Sequence, residues 1–125
     1  MWGPAQTAFP IASKKLSPFN SQNTFLAGAM LKDYFLYPHV GRMDDIWAAY
    51  YAQAMGYRVV YGEASVYQDR NVHDPVRDMK QEYLGYENNL TIVQELPNNA
   101  GALLAYLPAR ATHAFEIYKR HFVCA

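Results

Sequence analysis

The chain has 125 residues, 51% of them hydrophobic, and its 11 basic residues balance 11 acidic ones. This length and composition predict one domain, 1–125, with an irregular N-terminal segment, 1–16. A neutral chain lacks the basic face that nucleic acids require, and no apolar run is long enough to span a membrane, so we expect neither partner. Cys124 is the only cysteine and no secretory signal is evident, so we expect a cytoplasmic protein without an intrachain disulfide.

The aromatic content is the unusual part of the composition, with 11 Tyr, 6 Phe and 2 Trp. Tyrosine combines an apolar ring with a polar tip, which suits a carbohydrate site or a protein interface. A core boundary rich in tyrosine would explain the same composition. The count alone leaves these alternatives open.

The first elements are predicted from caps and apolar spacing. Ser21 or Asn23 would cap a helix near 24–33, and the aromatic run 34–37 predicts a strand that Pro38 ends.

A second helix is predicted from Asp44, a good N-cap, through Asp45 in the first turn to Gly56 just past the end. The β-branched and aromatic segment 57–61 then predicts a strand, and 65–68 predicts another.

Asp74 and Pro75 predict the start of a third helix, with a proline at the first helical position. Its predicted buried stripe consists of Val76, Met79 and Tyr83. Gly85 would bend or end this helix, and residues 86–96 continue it. A last helix is predicted over 109–122. Together these elements predict an α/β or α+β fold, in which a small sheet of about three strands packs with three to four helices.

Three polar segments follow one another in an informative order: an amide-rich loop, an acidic pair that opens a helix, and a polar loop containing histidine. They are Pro18–Thr24, Gly41–Trp47 and Gln68–Asp74. This order resembles the acceptor-side, C-terminal half of GT-A-type nucleotide-sugar glycosyltransferases. The resemblance covers roughly residues 17–90.

The resemblance implies a role for each polar position. The acidic pair, Asp45 and Asp44, would bind the acceptor hydroxyl or take its proton. Substrate would be bound by Asn20, Gln22, Asn23 and Trp47. The donor diphosphate would be approached by Gln68, Arg70 and Asn71, and its metal by His73. The ligand would be a carbohydrate or a nucleotide sugar.

Structural roles compete with each of these assignments. A helix cap and a favourable first-turn charge would account for Asp44 and Asp45, with a contribution of about 1 kcal/mol together. A turn leading to the cap Asp74 would account for residues 70–74, and an ordinary loop for residues 20–23. Because the helix dipole favours the ionised carboxylate, the acidic pair suits hydroxyl binding better than strong base chemistry.

The sequence departs from the family in one respect: the 43 residues before Asp44 contain no Asp-x-Asp metal motif and no nucleotide-binding strands. We therefore expect no transferase activity from this chain alone. Mn²⁺ or Mg²⁺ would bind only if a longer chain or another polypeptide supplied the donor half. The alternative function is a non-enzymatic oligomeric interaction module. A half-fold leaves an apolar face uncovered, so we expect a homo-oligomer.

Overall fold

The computed structural model describes residues 8–10, 15–70 and 72–123, and it is mostly helical. Its α-helices are α1 (Asp44–Ala54), α2 (Pro75–Glu95) and α3 (Ala109–Val123). Its 3-10 helices are Gly28–Asp33, Gly41–Met43 and Ala100–Tyr106. No helix in the described part of the chain is long and apolar enough to cross a membrane.

The predicted three-stranded sheet is wrong. The described residues contain only two three-residue strands, β1 (Ala8–Pro10) and β2 (Val60–Gly62), which pair antiparallel with Phe9 opposite Tyr61. Residues 34–37 and 65–68 have no regular structure, and β1 falls inside the segment predicted to be irregular. Aromatic and β-branched residues favour strands only where a partner strand and a half-buried face are available, and most of these residues have neither.

The predicted end of α1 and the predicted start of α2 are confirmed. The end of α1 at Gly56 is confirmed, since this residue has a φ of +103°. The Asp74 side chain accepts hydrogen bonds from the amides of Val76 and Arg77, so the predicted start of α2 is also confirmed. However, α2 continues through Gly85 without ending.

Two helix starts were predicted wrongly. In place of a helix over 24–33 there is a 3-10 helix over Gly28–Asp33, and its N-cap, Ala27, makes no side-chain bond. Asp44 is already helical and Met43 is the N-cap, because the 3-10 helix Gly41–Met43 leads directly into α1.

The core surrounds α1. All six residues from Trp47 to Ala52 are buried. Aromatic rings from the chain before it and from α3 pack against this helix, including Tyr37 and Phe115, whose ring centroids lie 5.4 Å apart. Helix α2 buries Gly85 and Ile92 against the same body.

The buried stripe predicted for α2 is wrong. Val76, Met79 and Tyr83 are 60–61% exposed, whereas the buried residues lie on a different face of the helix. The helical spacing of these apolar residues was recognised correctly, but the face that packs on the body is another one.

Two glycines let α2 cross the 3-10 helix Gly41–Met43 at close range. Gly41 has a φ of +61°, and a Cβ there would overlap the carbonyl oxygen of Gln81. A Cβ at Gly85 would overlap the sulfur of Met43. Backbone can shift less than the end of a methionine, so Gly41 is the stricter of the two requirements.

We therefore expect Gly41→Ala to lower the free energy of unfolding by roughly 2–3 kcal/mol, from the left-handed backbone and the overlap together. Gly28→Ala is the matched control, since no atom lies within 4 Å of a Cβ at that position, and it should change stability by less than about 0.5 kcal/mol. Urea denaturation followed by circular dichroism measures both. Equal stabilities of the two variants would contradict the close crossing.

Two buried tyrosines predict a loss of stability at alkaline pH. The hydroxyls of Tyr34 and Tyr37 are buried, with no hydrogen-bond partner among the described residues. Burial, with the charges of Asp45 and Asp44, raises the pKa of Tyr34 to about 12. Burial raises the pKa of Tyr37 well above its usual range.

An unfolded tyrosine has a pKa near 10, so above that pH the unfolded chain loses protons that the folded chain keeps. Stability should be complete below pH 10 and should fall as the pH rises toward 12, by up to about 1.4 kcal/mol per pH unit for each buried tyrosine. Denaturation at pH 9, 10 and 11 should give a shallower fall for Tyr37→Phe than for the exposed control Tyr67→Phe. Identical slopes would rule out the contribution of Tyr37.

Candidate functional site

A polar cleft of about 460 Å³ opens beside the start of α1. Three segments that are separate in the sequence form it: the loop before the first 3-10 helix, the turn leading into α1, and the loop before α2. Seven of the predicted site residues line it: Asn20, Gln22, Asp44, Asp45, Gln68, Arg70 and His73. The predicted residues from all three segments are therefore brought to one place.

Three predicted site residues are not in this group. Trp47 is fully buried, and its indole N–H donates to the side-chain oxygen of Asn89 at 2.7 Å, so it offers no face to a ligand. Asn23 lies in a different pocket, where it accepts a hydrogen bond from Ser65 at 3.3 Å. Asn71 lies outside the described residues.

Each carboxylate of the acidic pair makes a hydrogen bond at the helix start. One oxygen of Asp44 accepts from the amide of Asp45 at 2.9 Å. Oδ2 of Asp45 accepts from the amide and the hydroxyl of Ser21 at 2.9 and 3.2 Å. Asp45 therefore fixes the amide-rich loop against α1, which is a structural role that the sequence did not indicate.

Sequence reasoning missed the ion-pair group that forms the opposite wall. The guanidinium of Arg42 contacts Asp78 at 2.9 Å and Glu82 at 3.0 Å, both on α2, and His73 Nδ1 lies 3.2 Å from the second oxygen of Asp78. The i, i+4 spacing of the two acids on one helix face could have indicated a shared cation. In contrast, Arg70 is exposed and has no carboxylate within 4 Å in the described part of the chain.

The charges of the cleft limit what it can bind. Its lining carries the guanidinium groups of Arg42 and Arg70 and the carboxylates of Asp44, Asp45 and Glu82. With one guanidinium already paired, a diphosphate would meet more negative than free positive charge. Within residues 8–10, 15–70 and 72–123, no three metal-ligating side chains converge, and His73 already contacts Asp78. The polar side chains that line the cleft can donate and accept hydrogen bonds.

A larger pocket, of about 590 Å³, lies between β2 and the loop at residues 19–26. Sequence reasoning did not identify it, apart from Asn23. Its aromatic walls include Tyr57 and Tyr61, but their hydroxyls donate to the carbonyls of Ala29 and Pro18. These hydroxyls hold neighbouring segments together, so the two tyrosines offer mainly their rings to the pocket, whose lining also includes the charged residues Arg58 and Glu63.

Asp33 is the only charged residue among the described ones that is fully buried, so the reason for its burial needs an explanation. Lys119 on α3 contacts it at 2.6 Å and lies over the rings of Tyr51 and Phe115. Burial lowers the pKa of Lys119, but the hydrogen bond to Asp33 and the nearby negative groups outweigh burial, and the net pKa is raised. Lys119 therefore stays charged at neutral pH, and its contact with Asp33 ties α3 to the first 3-10 helix, which is a structural role.

Comparison of the chain with protein-family models, curated proteins and solved structures gives no match. The glycosyltransferase resemblance therefore rests on the three sequence segments alone.

The buried ion pair predicts a non-additive effect on stability. Lys119→Met should lower the free energy of unfolding by about 3 kcal/mol at pH 7, because it leaves the carboxylate of Asp33 buried without a counter-charge. The double variant Asp33→Asn/Lys119→Met should recover more than half of that loss. Urea denaturation of the two single variants, Lys119→Met and Asp33→Asn, and of the double variant tests this. A double variant as unstable as the sum of the two single variants would contradict the pairing.

Proposed function

We propose that the chain is a binding domain whose polar cleft takes a neutral, hydroxyl-rich ligand of the carbohydrate class. In this proposal Asp44 and Asp45 accept hydrogen bonds from ligand hydroxyls, while Arg70 and amide side chains donate them. This is the acceptor-side role that the glycosyltransferase resemblance implies, without the transfer step.

The observation that carries the proposal is the convergence of the three polar segments on one cleft. Residues 20–22, 41–46 and 68–73 each supply part of its lining. Structural contacts hold these segments together, since Asp45 binds Ser21 and both Arg42 and His73 bind Asp78. The lining also brings Asn20, Gln22 and Arg70 to the same place. Carboxylates, amides and a free guanidinium in one place are the groups that bind sugar hydroxyls.

The position of the acidic pair supports binding more than catalysis. Oδ2 of Asp45 already accepts two hydrogen bonds from Ser21, which leaves the other oxygen for a ligand. Asp44 is held at the first turn of a buried helix, so its carboxylate loses little freedom on binding.

The proposal also sets the expected strength of binding. The only tryptophan predicted for the site, Trp47, is buried, so the described lining of the cleft offers no indole face on which a sugar ring can stack. Exposed polar contacts alone yield little net free energy, since each replaces a bond to water. We expect dissociation constants on the order of 1 mM, about 4 kcal/mol of binding free energy.

Asp44→Asn tests the proposal. The amide retains an oxygen for the Asp45 N–H but removes the charge, so binding should weaken about tenfold, or about 1.4 kcal/mol. Nuclear magnetic resonance titration with a panel of mono- and disaccharides measures this from shifts of the cleft amides. Glu116→Gln on α3 is the matched control, because this exposed carboxylate does not line the cleft, and it should leave binding unchanged.

Three outcomes would overturn the proposal: no shift in the cleft with any sugar, equal weakening by both variants, or tighter binding of a nucleoside diphosphate than of any sugar. A sugar-transfer assay with nucleotide-sugar donors separates binding from catalysis. Turnover by this chain that Asp45→Asn abolishes would show a transferase.

The alternative function, a non-enzymatic oligomeric interaction module, has separate support in an exposed apolar stripe on α2.

A further inference from the structure

Helix α2 carries a second apolar face that is exposed and packs on no other element among the described residues. Five residues on it are spaced by three and four positions alternately, and each is 60–70% exposed. They are Val76, Met79, Tyr83, Tyr86 and Leu90, and we call them the α2 stripe. Alternating spacings of three and four define the heptad seam along which two helices pack.

The α2 stripe is distinct from the face that holds the helix to the body. That face buries Gly85 and Ile92, and at 100° per residue it lies about 150° around the helix from the stripe. The helix therefore has a covered apolar face and an open one. An exposed tyrosine, methionine or leucine is common alone, but five in one row along about four turns of helix are typical of a contact surface.

The charges beside the α2 stripe favour a second copy of this chain as its occupant. When two such helices run antiparallel, Tyr83 packs across from Tyr86, and Met79 across from Leu90. In this register Lys80 of each copy comes beside Glu87 of the other, so two opposite-charge pairs flank the seam. Both residues are exposed.

The parallel arrangement lacks this match. In a parallel pair, a residue that flanks the seam on one copy meets the residue five positions later on the other copy. Glu82 of each copy would therefore lie beside Glu87 of the other, which gives two like-charge contacts. A membrane surface also fits poorly. A helix that lies on anionic lipid carries an excess of basic residues, whereas Arg77 and Lys80 are balanced here by Glu82 and Glu87.

The size of the α2 stripe is sufficient for a modest dimer. Two tyrosines and three aliphatic side chains, each more than half exposed, offer roughly 500 Å² per copy, or about 1,000 Å² for a pair. Specific interfaces begin near this size, and the weaker ones are in the micromolar range.

We propose that two copies of the chain form an antiparallel dimer through the α2 stripe, with Lys80 of each copy paired to Glu87 of the other. This gives the expected homo-oligomer a specific surface, and it does not depend on what the polar cleft binds.

Charge reversal tests the dimer and its direction together. Sedimentation velocity on the full chain from 1 to 300 μM, at low salt, should show association in the micromolar range. Lys80→Glu and Glu87→Lys should each raise the dissociation constant at least tenfold, since each variant places like charges together twice. The double variant, and an equimolar mixture of the two single variants, should restore association, because opposite charges then meet at every pair.

The apolar seam has its own test. Tyr83→Ser should reduce association at least tenfold, whereas Tyr67→Ser, at an exposed tyrosine off the α2 stripe, should not. All these side chains are exposed, so circular dichroism melting should be nearly unchanged for every variant measured below the dissociation constant.

Several results would overturn the proposal. A monomer at 300 μM would do so, as would a dimer that tolerates Tyr83→Ser or both charge reversals. Association that Glu87→Lys strengthens while Lys80→Glu leaves it unchanged would indicate parallel pairing. Single variants that stay monomeric when mixed would also contradict the antiparallel register.

Discussion

The burial of α1 on nearly all sides is the constraint on which the rest of the structure depends. Trp47 and three of the four alanines of this helix are fully buried, and its two central tyrosines are less than 10% exposed. A helix that is apolar around its whole circumference must be covered from several directions. Three 3-10 helices, α2 and α3 provide that cover, and the alanines allow close approach. The Trp47 indole N–H also needs a partner in this setting, and Asn89 on α2 supplies it.

The polar cleft follows from where this buried helix begins. Asp44 and Asp45 stand at its open end, which the crossing of α2 over the 3-10 helix Gly41–Met43 holds in place. Arg42 projects from that 3-10 helix to Asp78 and Glu82, so the ion pairs and the glycines fix the same crossing. The cleft is therefore built on rigid elements on two sides, and only the loops at 20–22 and 68–73 complete it.

Glu82 joins the cleft to the α2 stripe. Its carboxylate binds Nε of Arg42 at 3.0 Å and accepts a hydrogen bond from the hydroxyl of Tyr86 at 2.7 Å. Tyr86 is part of the stripe, and Arg42 lines the cleft. A helix packed on the stripe would restrict the ring of Tyr86, and this one carboxylate would transmit the restriction to a wall of the cleft. The two surfaces thus differ in chemistry, and Glu82 connects them because it lines the cleft and contacts Tyr86 of the α2 stripe.

Several features that depend on one residue type at one position were predicted correctly from the sequence. The Asp74 cap, the glycine after α1 and the last helix are examples, and the polar loops that meet at the cleft were also recognised. Signals that depend on a distant partner failed. The aromatic run 34–37 was predicted to be a strand, but its rings pack around α1, and no strand among the described residues pairs with it. Trp47 was assigned to a ligand because it follows the acidic pair, yet it lies on the side of α1 that the body covers.

The α2 stripe combines a local signal, its spacing in the sequence, with a dependence on a distant partner. Its spacing predicts a buried face, and within one copy of the chain that expectation is wrong, since glycine at 85 and isoleucine at 92 are buried instead. The residues of α2 that pack on the body are small or widely spaced, because the close crossing leaves no room for a larger side chain at Gly85. A periodic apolar face that the monomer leaves open has the pattern of a helix that packs twice, once on its own body and once on another helix. In the proposed dimer, the second chain covers the face that this heptad spacing marks.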